Sequence, residues 1–203
     1  MNLGFDLDEI IAQTAQMALD HLNDVFECEY EFEALRSFQF SENSFSNKKI
    51  EQDAAVECLI WAVSDEKMMY RVKPYEEAVK TLTLLKHEGH KIFIVTKRPN
   101  SMKDMTAEWL RKNKIPFDKL IHTDHEPKGK HILKYNLDCF VDDLESNLLD
   151  LYKSQARWKK GLLLLTRPWN ENDYIDRSKF VRVNNWVDVM KHIDIRNRLR
   201  DRN

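Results

Sequence analysis

From Lys73 onward the chain alternates short apolar runs with amphipathic stretches, and this alternation limits the fold more than any other feature of its 203 residues. Lys91-Ile-Phe-Ile-Val-Thr96, Lys119-Leu-Ile-His122, Asp138-Cys-Phe-Val-Asp-Asp143, Gly161-Leu-Leu-Leu-Leu-Thr166 and Phe180-Val-Arg-Val183 read as strands. Between them, helical spacing predicts helices over Tyr75 to His87, from Ser101 through Trp109 and Leu110, over Lys130 to Tyr135, over Glu145 to Gln155 and over Asn185 to Ile193. Ser101 fits an N-cap with Asp104 three residues on, and Gly89 is placed to end the helix before it. Strands and helices at this interval imply right-handed crossovers, hence a doubly wound, mostly parallel α/β sheet covered on both faces.

The first strand lies at the other end of the chain. Asn2-Leu-Gly-Phe is apolar and runs into Asp6-Leu-Asp8, after which helical spacing from Glu9 to about Phe26 predicts one amphipathic helix. Alternate residues of a strand share a face, so a strand that holds to Asp8 projects both carboxylates to one side. They would stand at the C-terminal lip of the sheet, where open α/β folds bind their ligands. Two acids there repel each other unless a cation intervenes, and a hard divalent metal prefers such oxygens.

Between the first strand and Lys73 no strand-like alternation appears. The segment from Glu27 to Arg71 carries Tyr30, Phe32, Phe38, Phe40, Phe45 and Trp61, with a polar break over Phe40-Ser-Glu-Asn-Ser-Phe-Ser-Asn47 and helical spacing again from Lys49 to Val63. A helical block of this length exceeds a simple crossover. The expected division is an α/β core of residues 1–13 and 73–203 with a helical cap inserted at 14–72. Most of its aromatic residues are expected to pack the cap's own small core.

Thirty-two Lys and Arg against 34 Asp and Glu leave a net charge of −2, so no global field recruits nucleic acid and no nucleic-acid partner is expected. The charged tail Arg196-Asn-Arg-Leu-Arg-Asp-Arg202 reads as a solvated helix end. Cys28, Cys58 and Cys139 are scattered singly, without the spacing of a disulfide frame or zinc site. No apolar stretch reaches transmembrane length and no signal region opens the chain, so a cytoplasmic protein with no membrane partner is expected. His122-Thr-Asp-His125 lacks further ligands in register for zinc.

Chemistry-bearing residues gather at the same strand ends. Thr96 ends one strand and is followed by Lys97 and Arg98; Lys128 and Lys130 precede another; Asp142 and Asp143 end it. A hydroxyl, an ammonium, a pair of acids and a carboxylate nucleophile form a set suited to phosphoryl transfer, because the phosphate charge must be neutralised before a carboxylate can approach phosphorus.

The order Asp-Leu-Asp8, Thr96, Lys128 and Val-Asp-Asp143 resembles the four motifs of the haloacid dehalogenase-like (HAD) phosphohydrolases, over essentially the whole chain. Phe-Val-Asp-Asp143, Arg167-Pro-Trp-Asn170 and Val183-Asn-Asn-Trp186 resemble the 5′(3′)-deoxyribonucleotidase-like group and its bacterial relatives. The resemblance implies a HAD-like Rossmannoid core with a small helical cap after the first strand, and a Mg²⁺-dependent phosphomonoesterase acting on a small phosphate ester, with nucleotide 5′-monophosphates as the leading substrate class. It makes Asp6 a nucleophile that forms an aspartyl-phosphate, and Asp8 the acid and base. Thr96 becomes a phosphate-binding hydroxyl, and Lys128 the bridging cation with Lys130 as its competitor. Asp142 or Asp143 completes a metal shell begun by Asp6 and by Asp8 through its carbonyl. Many members carry glycine directly after the second aspartate, where Glu9 stands here. Two other readings remain at this level. One is a binding or regulatory protein that kept the fold and metal site. The other is a nucleic-acid end-processing phosphatase, for which Lys48, Lys49, Lys97, Arg98 and the tail would have to form a basic track.

Overall fold

A computed structural model of the chain describes residues 1–40, 43, 52–64, 69–154, 161–171 and 178–200. Strands β1 (Asn2–Phe5), β2 (Lys91–Thr96), β3 (Lys119–His122), β4 (Cys139–Asp142), β5 (Leu162–Leu165) and β6 (Val181–Val183) form one sheet in the order β3-β2-β1-β4-β5-β6. Every neighbouring pair is parallel. The helices are α1 (Thr14–Phe26), α2 (Gln52–Ser64), α3 (Glu76–His87), α4 (Lys103–Lys112), α5 (Lys128–Ile132), α6 (Glu145–Ser154) and α7 (Trp186–Arg200).

Strand parity sorts the apolar residues into two layers. Leu3, Phe5, Ile92, Ile94, Cys139, Val141, Leu163 and Leu165 pack with α3, α4 and α7, through residues such as Leu82, Trp109 and Ile193. Their alternates Phe93, Val95, Phe140, Leu162 and Leu164 pack with Ile132 of α5 and Leu148 and Leu151 of α6. Each fully buried aliphatic side chain contributes about 1.5–3 kcal/mol by leaving water, so both layers are needed to hold the sheet. Gly4 belongs to the second layer, where a Cβ would stand 2.4 Å from Phe140 Cδ2. Gly129 lets α5 approach α6 equally closely, since a Cβ there would meet Ser154 Cβ at 2.8 Å.

A third apolar cluster joins α1 and α2, with Leu19, Leu22, Leu35, Phe40, Ala55 and Cys58 at its centre and Phe32, Phe38 and Trp61 at its margin. Phe45, Lys48, Lys49 and most of the expected polar break lie outside the described residues.

Several elements differ from expectation for local reasons. The first helix begins at Thr14 rather than Glu9. Residues 7–12 form a tight turn instead, with the Ile11 and Ala12 N–H groups both donating to the Leu7 carbonyl and Glu9 at φ 58°. Ile10 and Ile11 are buried by that turn, which explains apolar spacing without a helix. β1 ends at Phe5, so strand geometry does not set the direction of Asp8. Ser101 falls within a 3₁₀ turn, Asn100–Met102, and α4 starts after it without a side-chain cap. The last helix runs beyond Ile193 to Arg200.

Candidate active site

The strand order reverses between β1 and β4: β2 and β3 extend the sheet on one side, β5 and β6 on the other. The two crossovers diverge at this point and leave a crevice beyond the strands' carboxyl ends, where open α/β sheets take their ligands. Asp6 follows β1 directly, and its main-chain N–H donates to the Val141 carbonyl of β4 at 2.9 Å, which fixes it at this crevice. Asp142 ends β4 and Asp143 follows it.

Lys128 is the hub of the site. Its ammonium lies 2.8 Å from Asp6 Oδ1 and 2.6 Å from Asp142 Oδ2, with the side chain 1% exposed. Lys128 opens α5 immediately after Pro127, and the close contact of Gly129 with α6 sets its height over the sheet. Lys130 does not join the cluster: its ammonium pairs with Glu126 at the surface, 57% exposed. Although burial opposes its charge, the Asp142 and Asp6 carboxylates hold the Lys128 pKa above the ordinary lysine value.

Asp142 is fully occupied by protein donors. Besides Lys128, its Oδ1 accepts from the Leu144 N–H at 2.9 Å and from Asn147 Nδ2 at 3.0 Å, so it both braces the lysine and ties the approach to α6. Asp143 has a different setting. One of its oxygens accepts from Trp169 Nε1 at 3.0 Å, and its main-chain carbonyl accepts from Asn170 Nδ2. Burial, then the Asp142 and Asp6 charges, raise its pKa well above the carboxylate range, and burial likewise pushes Asp6 up to about 7. Oxygens of Asp6, Asp142 and Asp143 all lie within 4.8 Å of one another. Lys128 alone leaves this set of buried acids short of positive charge, and an oxygen-seeking divalent cation fits the deficit.

Asp8 faces a different partner. Its Oδ1 accepts from Arg98 Nη2 and from the Thr14 hydroxyl, each at 2.5 Å, and its Oδ2 accepts from Arg98 Nε at 3.1 Å. Burial opposes ionisation of Asp8, but the Arg98 charge and hydrogen bonds outweigh it and hold the pKa below the ordinary value. Thr96 is buried at the end of β2, where its hydroxyl accepts from the Arg98 N–H at 3.2 Å.

An open cleft is lined by Asp6, Asp8, Phe38, Lys97, Lys128, Asp143, Leu144 and Asn147. Phe38 comes from the α1–α2 region and contributes an aromatic wall; Asp143 lines the cleft and Asp142 does not. His122 turns its Nδ1 to the Pro99 carbonyl at 2.9 Å, away from any metal role.

Three participants carry only faint sequence signals. Arg98 read as a cation available for nucleic acid, yet it is buried and committed to Asp8. Asn147 lies five residues beyond Asp142, one turn into α6, a spacing that returns its side chain to the acid. Glu9 is buried with φ 58°; its carboxylate accepts from the Ala15 N–H at 2.6 Å and the Tyr75 hydroxyl at 2.7 Å. Its carbonyl accepts from Arg167 Nε and Nη2, and Arg167 also lies 4.5 Å over the Tyr75 ring.

Residues 1–200 match the model of the family described as 5′ nucleotidase, deoxy (pyrimidine), cytosolic type C protein. "Putative nucleotidase YqfW" of Bacillus subtilis is 28% identical over 132 residues, covering 64% of this chain and 65% of that protein's length. "Putative nucleotidase OB0422" of Oceanobacillus iheyensis is 28% identical over 201 residues, covering 95% of this chain and 98% of that one. Among solved structures, a HAD phosphatase from Thermococcus onnurineus superimposes with a TM-score of 0.59 at 16% identity, covering 95% of this chain and 97% of that one.

Proposed function

The chain belongs to the 5′ nucleotidase (cytosolic type C) family, a group of HAD-fold phosphoric monoester hydrolases, and we propose that it hydrolyses a nucleotide 5′-monophosphate through an aspartyl-phosphate on Asp6. The observation that carries this reading is the placement of Lys128 between Asp6 and Asp142 within the buried acid cluster. A carboxylate held against an ammonium at the floor of a cleft is positioned to meet a phosphate whose charge that ammonium also offsets.

In the first step an Asp6 oxygen bonds to phosphorus as the ester P–O bond breaks, and the leaving oxygen takes a proton from Asp8, which must first bind that proton in the substrate complex against the Arg98 charge that lowers its pKa. In the second, Asp8 takes a proton from water as the water oxygen bonds to phosphorus and the Asp6–phosphorus bond breaks. General acid–base work of this kind typically contributes about 10²–10⁴-fold. Lys128 keeps Asp6 oriented and balances charge at the phosphoryl oxygens. Thr96, whose hydroxyl now accepts from a main-chain N–H, is the proposed donor to one of those oxygens. Asp6 and Asp143 would hold Mg²⁺ together with the Asp8 carbonyl, since Asp142 is already taken by Lys128, Leu144 and Asn147. When bound, the ion supplies Lewis-acid neutralisation of the transferring phosphoryl group.

A flat leaving group is supported by the aromatic side of the cleft, where Phe38 meets the Trp169 ring edge-on at 5.8 Å. The three cysteines are free thiols, in keeping with the cytoplasmic setting we propose. The test is phosphate release from nucleotide monophosphates and from sugar phosphates in Mg²⁺. We expect nucleotides to be preferred and Asp6→Asn to abolish turnover while the fold is kept; retained turnover in Asp6→Asn would rule out the covalent route.

A further inference from the structure

Among the described residues, Arg98 is the most fully engaged cation that the reaction above does not use. Its side chain is 3% exposed. Nε and Nη2 grip the two Asp8 oxygens as a fork, Nη2 also reaches the Thr14 hydroxyl at 3.4 Å, and Nη1 points to the Met69 sulfur. Its main chain is fixed too, through the N–H on Thr96 and a carbonyl facing His122 Nδ1 at 3.2 Å. A guanidinium held at so many points imposes one plane on the carboxylate it grips, which an ammonium cannot do. Thr14 and Met69 stand where the chain enters and leaves the α1–α2 region, so the same side chain links Asp8 to both crossings.

We propose that Arg98 is a positioning residue that sets the orientation of the Asp8 carboxylate for proton transfer. The inference rests on the reading of Asp8 as the acid and base. Binding of the phosphoryl group by Arg98 is the competing role, and the geometry disfavours it: the fork is turned to Asp8, and the residue does not line the cleft.

The two roles separate by leaving group. p-Nitrophenolate departs without a proton, whereas an alkoxide such as the 5′-oxygen of a nucleoside needs one, so loss of acid positioning penalises the second substrate selectively. The experiment measures kcat/KM for p-nitrophenyl phosphate and for a nucleoside 5′-monophosphate in wild type, Arg98→Met, Arg98→Lys and Asp8→Asn. We expect Arg98→Met to lower the nucleotide value at least about tenfold more than the aryl value, in the same pattern as Asp8→Asn, with Arg98→Lys intermediate. Retained aryl phosphatase activity certifies the fold; if Arg98→Met does not fold, the selective loss is read in Arg98→Lys. Equal losses on both substrates, or none, would overturn the inference while leaving an active phosphatase. Wild type inactive on both would overturn the phosphatase reading itself, and this inference with it.

Discussion

Trp169 Nε1 donates to Asp143 Oδ2 at 3.0 Å, and the same indole meets Phe32 and Phe38 edge-on, each at 5.8 Å between ring centroids. One side chain of the loop after β5 thus aims an acid of the cluster and packs against the aromatic wall of the cleft. Trp169→Phe keeps the ring and removes the donor. On the metal-ligand role proposed for Asp143, loss of a hydrogen bond to it should cost about 10–100-fold in metal affinity, so the Mg²⁺ concentration for half-maximal activity should rise about tenfold. A Mg²⁺ titration of turnover, with thermal melting as the control for folding, checks this.

Lys128→Met places an apolar chain of similar length among Asp6, Asp142 and Asp143. Removing one partner of a buried ion pair typically destabilises by about 3–5 kcal/mol, because the remaining charge is uncompensated. Urea unfolding should show a loss of that order, and turnover should disappear. Lys130→Met, at the surface pair with Glu126, should change stability by less than about 1 kcal/mol and leave turnover near wild type.

Stability should depend on pH in a way that Mg²⁺ alters. Burial raises Asp6 and Glu9 to about 7 in the folded chain. A carboxyl whose pKa rises on folding binds more proton in the native state between about pH 4 and pH 7, so its contribution to stability falls as pH rises through that window. His90 and His122, lowered by burial, act in the opposite sense, and Glu9 lies outside the acid cluster, so a comparison with and without the metal isolates the part due to the cluster. A cation at Asp6 favours its ionised form and cancels its part of the loss. The rise in melting temperature on adding Mg²⁺ to chelator-treated protein should therefore be larger at pH 8 than at pH 5.

Glu9 occupies a left-handed backbone position that costs a residue with a Cβ roughly 1–2 kcal/mol. Glu9→Ala keeps that cost and loses the bonds to Ala15 and Tyr75; Glu9→Gly loses the same bonds and escapes the cost. The glycine variant should be the more stable of the two by about 1 kcal/mol in urea unfolding, after the entropic penalty of glycine is included. Equal stabilities would mean that the turn relaxes out of the left-handed region in the alanine variant.

The sheet was legible because its strands carry near-continuous apolar runs: the five read between Lys91 and Val183 all form, within a residue or two at their ends. Lys128 against Lys130 was not, because residues two apart point to nearly opposite sides of a helix, and only the packing of α5 on α6 says which side faces Asp6. The different surroundings of Asp142 and Asp143 come from the same kind of fact. Strand parity sends Asp142 toward α5 and α6, with Phe140, leaving Asp143 to line the cleft. The turn at residues 7–12 hid behind apolar spacing that burial alone satisfies. Arg98 announced only a positive charge, since its commitment to Asp8 spans 90 positions of sequence.

The cluster formed by α1 and α2 takes one side chain from beyond residue 64 among the described residues, and that side chain is Trp169. Met17 also packs against the first sheet layer, so substitutions inside the cluster that spare it can reshape the Phe38 wall of the cleft without entering the two layers that hold the sheet. The shape of that wall can change while the acid cluster at the strand ends stays as it is, with Trp169, bonded to Asp143, and Met17 as the side chains that tie the one to the other.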